Sequence, residues 1–577
     1  MRRDYFGVLV AAGLMANPLL TLAATGAEPD KQIMASSLSG AVLSAQVAQG
    51  DNDFDGAIAF YQQALGFEPG NTGFEQSLMI ALLTKGEFDR ALPYAERLKA
   101  VPEIERYSRV ALAVNAINKD DFIQAEALLK LSLQSDLDGL ISGLMTAWVK
   151  EGTKDTDGAL KIIKELQGPD WYDLFKRIHK ALILDAAGRK DEAQTAYQDA
   201  LDSPDASAAP EAWLRLIEAY AGFEMRKGKK DLALGVLDRG DDFAPERPSL
   251  KALRAEISKD ASLPLMVSNA KEGTAEVLFG VGTAIRREGS EAFSKLYLQL
   301  ALAARPDEDV TLIQLAGLAE DMNQADHAID LYKLVPPDSP FKRAAELQMG
   351  LSLADLDRQE EAVKHLSALL DADPTDARAY LALGGVYGAK KNYKAAAEVY
   401  DRAEKAIVAP LRSNWNLFYQ RGIAYEQLDI WPKAEASFRK ALQLYPDQPQ
   451  VLNYLGYSYV DQNKNLDEAV DMIRKAVEIR PDDGYIVDSL GWAYYRLGRF
   501  DDAVTELERA IKLRPEDATI NDHLGDAYWR VGRKLEARFQ WQHALDGKPE
   551  EPDLAKITLK LKSLEPLVAE ALADKKG

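Results

Sequence analysis

Small and apolar residues recur along this chain at helical spacing, and the helical pattern is itself periodic. Val487, Leu490, Gly491 and Tyr494 mark one face of a helix, Ala503, Leu507 and Ala510 mark one face of a second, and Pro515 ends it. The same unit repeats elsewhere. Ala57, Ala91, Ala125, Ala159 and Ala193 are each 34 residues apart, and twelve residues before each stands Ala45, Met79, Ala113, Ala147 or Ala181. Ala221 with Ala233 forms a sixth unit. The rhythm restarts at Ser294, Ala328, Ala362 and Ala396, preceded by Gly282, Ala316, Gly350 and Gly384, and continues as Gly422 with Ala434, Gly456 with Ala469, Gly491 with Ala503 and Gly525 with Ala537. About fourteen units result.

Small residues at two fixed places per unit predict a close crossing of two helices, where no large side chain fits. Each unit therefore reads as helix, turn, helix, stop. Pro69, Pro245, Pro306, Pro374, Pro446, Pro481, Pro515 and Pro549 close the second helices, because proline lacks the N–H that would continue them. The unit at 449–481 carries one extra residue near Gln462 to Leu466, which should lengthen its turn and leave the packed positions in place.

These residues resemble the tetratricopeptide repeat family, whose pattern is a large apolar residue, Leu-Gly, Tyr, Ala, an aromatic residue and Pro. Tyr380, Leu383, Gly384, Tyr387, Ala396 and Tyr400 match it, as do Phe418, Gly422, Tyr425, Ala434, Phe438 and Pro446, and Leu524, Gly525, Tyr528, Ala537, Trp541 and Pro549. The resemblance covers about residues 38 to 549. It implies an all-α fold, an α-solenoid of helix hairpins in two superhelical arrays. The expected order is a leader at 1–26, a degenerate N-terminal array at 38–245, a joint at 246–274 where the phase breaks around Pro264, and a C-terminal array at 275–549. A capping helix is expected over 550–577, where Leu554, Ile557, Leu561, Leu564, Val568 and Leu572 recur and can cover the last hairpin.

A stacked array presents the first helix of every pair on its concave side. With the packed positions facing inward, the opposite direction at 100° per residue, with its flanks, carries Asn453, Tyr454, Tyr457, Tyr485, Asp488, Trp492, Tyr495, Arg496, His523, Asp526, Trp529 and Arg530. Tyr, Trp and Arg are the side chains enriched at binding hot spots. The strip reads either as a partner-binding groove or as aromatic filler between neighbouring hairpins. The clamp of Asn and basic residues that some members of the family use on a terminal carboxylate is not reproduced, although Asn453 stands at one of its steps.

Composition narrows the function. The 70 Lys and Arg stand against 91 Asp and Glu, a net charge of −21, which argues against a nucleic-acid partner. Cys is absent, removing disulfides, thiolate metal sites and a Cys nucleophile. The five His, at 179, 327, 365, 523 and 543, supply no i, i+4 pair for a metal. Gly280-Val281-Gly282 lies inside a helix, where hairpin packing explains it better than phosphate binding. The expectation is a protein that is not an enzyme and needs no cofactor or metal.

Arg2 and Arg3 precede an apolar run from Val8 to Ala24, followed by small polar residues, the layout of a secretory leader. Cleavage sites are offered by Thr21 with Ala23 or by Ala24 with Gly26; the alternative is an uncleaved anchor at residues 8–24 in the inner membrane. The exported layout is similar to tetratricopeptide proteins of Gram-negative cell envelopes. The expected role is a periplasmic scaffold that binds envelope proteins or extended peptides in its groove. The alternative is a docking platform for an envelope polysaccharide, which the same aromatic faces would serve.

Overall fold

One residue with left-handed backbone closes the turn inside each hairpin of the first five units: Asn52, Gly86, Asp120, Lys154 and Gly188 have φ of 61°, 92°, 57°, 65° and 74°. Gly, Asn and Asp tolerate this region best, since a Cβ normally meets the following carbonyl there. The spacing is again 34 residues. Asn323, Asp357 and Lys391 repeat it, followed by Asp429, Asn463, Gly498 and Gly532. The extra residue of the 449–481 unit is absorbed by a second left-handed position, Asn465, while Ala469 stays fully buried.

The computed structural model describes residues 35–131, 135–203, 206–245, 247–287 and 289–563. Among them it contains thirty α-helices and no strand. The chain divides into two compact units, with the boundary between Ala362 and Val363. The expected leader at 1–26 lies outside the described residues, as does the end of the expected capping helix from 564 on.

The first unit opens with six helix pairs: α1 (Leu38–Gly50) and α2 (Phe54–Phe67), α3 (Thr72–Lys85) and α4 (Phe88–Leu98), α5 (Glu105–Asn118) and α6 (Phe122–Leu129), α7 (Asp136–Gly152) and α8 (Thr156–Glu165), α9 (Tyr172–Ala186) and α10 (Lys190–Leu201), α11 (Pro210–Arg226) and α12 (Lys230–Phe243). Each pair packs on itself and on the next. The small residues read from the sequence, from Ala45 and Ala57 through Ala181 and Ala193, are fully buried at these crossings. After α13 (Pro248–Ser258) and a nonhelical passage through Pro264, the chain continues as α14 (Ala270–Ala284), α15 (Glu291–Ala304), α16 (Asp309–Asp321), α17 (Ala325–Leu334) and α18 (Lys342–Asp355).

The passage at 246–274 lies inside this first unit, because α14 and α15 turn back onto the first helices of the earlier pairs. α14 packs on α5, α7, α9 and α11, and α15 on α3 and α5. Glycine makes the approach possible: Gly273 lies on the Trp148 ring of α7, where a Cβ would clash, and Gly280 lies on Phe175 of α9. Trp148 Nε1 in turn donates to His179 Nδ1 at 3.1 Å, and burial holds that imidazole down to about 4. Polar anchors reinforce the seat. Asn118 Nδ2 donates to the Ala303 carbonyl at 2.8 Å, and buried Arg215 of α11 reaches Glu276 of α14, Glu308 at 2.9 Å and Glu218 at 3.1 Å.

α19 (Gln359–Ala372) spans the boundary. The second unit continues with α20 (Ala377–Ala389) and α21 (Tyr393–Ala406), α22 (Trp415–Gln427) and α23 (Trp431–Leu444), α24 (Pro449–Asp461) and α25 (Leu466–Ile479), α26 (Gly484–Arg496) and α27 (Phe500–Leu513), α28 (Ala518–Arg530) and α29 (Lys534–Asp546), and α30 (Asp553–Ser563). A side chain two residues after a proline caps several of the first helices. Asp376, Asp483 and Asp517 each accept from two backbone N–H groups, and Gln448 from one, which satisfies otherwise orphaned donors.

Candidate functional site

Within the second unit, Gly456, Gly491 and Gly525 fix the rotation of α24, α26 and α28. A Cβ on them would run into Ile473 of α25, Leu507 of α27 and Trp541 of α29, so these faces are sealed against the second helices. The opposite faces of α24, α26 and α28 carry the residues expected to line a groove. Most of these residues are buried, however, and the structure divides them into three groups.

Tyr454 is filler between hairpins. Its ring stands edge-on to Tyr419 with centroids 5.6 Å apart, lies 5.1 Å from Phe438, and its hydroxyl donates to Glu426 of α22. Asn453 is buried beside it on α24, and its Oδ1 has no hydrogen-bond partner among the described residues.

The second group forms a buried polar and aromatic cluster. Trp492 stacks on Tyr495 with centroids 4.8 Å apart and on His523 at 4.0 Å. His523 Nδ1 lies 3.0 Å from both carboxylate oxygens of Asp488. Burial alone would hold His523 neutral, but the charge of Asp488, with Asp522 and Asp526 close by, outweighs it and raises the imidazole above 6.5. Asp526 is fully buried. It accepts from Trp541 Nε1 at 3.0 Å and from Lys560 Nζ at 2.8 Å. Lys560 also donates to both oxygens of Asp522, at 2.8 and 2.9 Å. Burial opposes the ammonium, yet the two carboxylates hold its pKa above 10.5.

Three carboxylates therefore face one ammonium and one imidazole, and the excess of negative charge in a buried site favours keeping one proton. Burial pushes Asp526 up to about 6 against the pull of Lys560.

The third group, Tyr457, Tyr485, Trp529 and Arg530, keeps accessible surface, and Arg496 beside it does not. Tyr457 and Tyr485 are half-buried, with Arg514 over the Tyr485 ring at 5.2 Å. Trp529 is half-buried under Lys534, 4.9 Å from its ring, and Arg530 is exposed over Phe500 at 4.2 Å. Arg496 is buried and turned along the strip to Asp461, 3.5 Å away.

Sequence reasoning missed Lys560 and Asp522, which complete the cluster, and Glu426, which anchors Tyr454. The apolar series on α30 suggested that its leucines would face inward. Of that series Ile557 is buried, Leu561 is half-buried and Leu554 is 39 % exposed, and the charged Lys560 is buried beside Ile557. The signal available was the run Asp553, Ile557, Lys560, which shares one helical face at i, i+4 and i+7. Among the described residues no three His, Asp or Glu gather as a metal site, and no helix is long and apolar enough to cross a membrane.

Comparison with known proteins agrees with the hairpin architecture. Models described as tetratricopeptide repeat match residues 180–248, 347–409 and 419–484, and one described as TPR repeat matches 491–532. Among curated relatives, the human protein O-mannosyl-transferase TMTC1 is 24% identical over 202 residues, 34% of this chain and 23% of that protein. The general transcriptional corepressor ssn6 of Schizosaccharomyces pombe is 27% identical over 141 residues, 24% of this chain and 13% of that protein. The chain thus spans less than a quarter of either relative. Of solved structures, the APC/C hetero-tetramer Cut9-Hcn1 is 14% identical, covers 92% of this chain and 97% of that one, and has a TM-score of 0.36. A tetratricopeptide repeat protein from Parabacteroides merdae is 17% identical, covers 44% and 97%, and has a TM-score of 0.35. The matched segments coincide with observed helix pairs, their buried small residues and their left-handed turns, and these segments of the chain are tetratricopeptide repeats.

Proposed function

We propose that this chain is an exported scaffold that holds protein partners of the cell envelope on the first-helix face of its C-terminal repeats. Tetratricopeptide repeats are protein-interaction modules, and the observation that carries the reading here is the strip on α24, α26 and α28. Its Tyr457, Tyr485, Trp529 and Arg530 keep accessible surface beside a buried acidic cluster, the mixture of aromatic anchors and charge that suits a protein partner. Export rests on the sequence of residues 1–26, and the periplasm is the proposed compartment. The polysaccharide alternative has no comparable support, because Trp492 is buried with its ring stacked on Tyr495 and His523.

Crosslinking in intact cells, followed by identification of what is captured, tests this reading. Envelope proteins recovered with the wild-type chain and lost with Arg530→Glu are the expected result. Capture of glycan with no protein retained would overturn it.

A further inference from the structure

The cluster between α28 and α30 is built like a complex rather than like a core. On the array side, Asp522 and Asp526 are buried carboxylates whose cation is supplied by another element, Lys560 of α30. Among the described residues α30 buries Ile557 and half-buries Leu561, whereas Leu554 and Leu559 are exposed. A helix laid down as a permanent cover would turn its leucines inward. Its inward face is Ile557 and Lys560, with Asp553 and Leu561 half-buried beside them. Lys560 sits among carboxylates, whereas Asp553 accepts from Lys556 of its own helix at 2.8 Å.

We propose that α30 is a displaceable occupant of the strip, and that the partner admitted in its place is a protein helix presenting a Lys or Arg between Asp522 and Asp526. Removing α30 alone takes the ammonium from Asp522 and Asp526, and two neighbouring carboxylates are left to repel each other. A partner that brings its own cation restores the pairing, so exchange is favoured and simple departure is not. The matching partner pattern is a branched apolar residue followed three positions later by a basic residue, as Ile557 and Lys560 stand here. This inference rests on the scaffold reading and adds to it the kind of partner and the element that guards the site.

The test uses the full chain and a fluorescently labelled peptide of its own residues 550–563, followed by anisotropy. The wild-type chain, whose strip is occupied, should bind the peptide at least about tenfold more weakly than the Lys560→Glu chain, in which the tethered helix is repelled. Lys560→Met, which keeps the side-chain length without the charge, carries the same expectation if Lys560→Glu does not fold. A peptide carrying Lys560→Glu should not bind, and adding Asp522→Asn and Asp526→Asn to the Lys560→Met chain should return binding to the wild-type level. Equal peptide binding to wild-type and Lys560 variants, or binding that survives the loss of both carboxylates, would overturn the proposal. If the peptide behaves as expected while crosslinking captures no protein, the displaceable helix stands and the scaffold reading falls.

Discussion

The indole of Trp492 lies nearly parallel to the imidazole of His523, with ring centroids 4.0 Å apart and planes 14° apart. The two residues sit on successive first helices, α26 and α28, so this stack is a joint between hairpins as well as part of the strip. Trp492→Ala should remove both its stacks and leave a cavity beside Asp488, costing about 3–5 kcal/mol of stability in the second unit. Thermal unfolding followed by circular dichroism checks it, and an unchanged melting temperature would contradict the stacking role. Loss of partner retention in this variant would then report damage to the array, which makes exposed Arg530 the better probe of binding.

The pH dependence of the same cluster has a defined sign. Asp526 is raised to about 6 from 3.8, and His523 is raised above 6.5, so at each site the folded chain holds its proton to higher pH than the unfolded chain does. Such groups stabilise fully below their unfolded values, and the contribution is lost as pH rises through the folded ones. The stability this cluster adds to the second unit should therefore be lost from about pH 4 upward through pH 6 and beyond 6.5, read as the difference between the wild type and the cluster variants. Asp526→Asn removes the lower part of that slope, and His523→Gln the upper part. Melting temperatures measured at intervals from pH 4 to 8 check this, and a difference that rises with pH would contradict it.

The periodic part of this architecture was legible because one physical demand recurs. Every small residue that kept the beat, Ala57, Ala91, Ala125, Ala159 and Ala193 among them, is fully buried at a helix crossing. The left-handed residues at 52, 86, 120, 154 and 188 keep the same beat, yet Asn, Gly, Asp and Lys share no polarity or size that marks them. What joins them is occupation of positive φ. The seat of α14 and α15 was out of reach for a different reason: Asn118 and Ala303 stand 185 residues apart, and no repeat phase relates them. In the candidate site, helical geometry gathered these residues on one side of α24, α26 and α28 but did not give their exposure. That depended on neighbouring elements: Tyr454 packs on Tyr419 and Phe438, Trp492 on Tyr495 and His523, and Asp526 meets Lys560 of α30.

Two glycines seven residues apart serve different ends and should respond differently to alanine. Gly491 faces α27, where a Cβ would stand 2.6 Å from Leu507 Cγ and 3.2 Å from its backbone nitrogen. Gly491→Ala therefore overpacks a helix crossing and should cost about 1–3 kcal/mol. Gly498 has φ of 76° with open space around it, so Gly498→Ala meets only backbone strain of about 1 kcal/mol. Denaturant unfolding ranks the two, and a larger effect at Gly498 would contradict the packing argument.

Lys295 of α15 makes the last case, because it is buried without a carboxylate. Its Nζ lies 4.7 Å from the centre of the Phe54 ring and donates to Gln324 Oε1 at 2.8 Å. Burial lowers its pKa to about 8 from 10.5, and its charge adds to burial in holding the nearby His327 down to about 4. Between these two lysine values the unfolded chain binds a proton that the folded chain has released, so stability of the first unit should rise with pH across that window. Below pH 8 the full penalty applies, about 3 kcal/mol at 1.36 kcal/mol per pH unit. Lys295→Met removes it and forfeits the Gln324 bond, worth about 1 kcal/mol, for a net gain of about 1–2 kcal/mol at pH 7. Unfolding measured at pH 7 and pH 10 checks both halves of the argument. The variant should be more stable than the wild type at pH 7, and that advantage should shrink at pH 10; a variant that is less stable at pH 7 would mean the ring and amide contacts outweigh the buried charge.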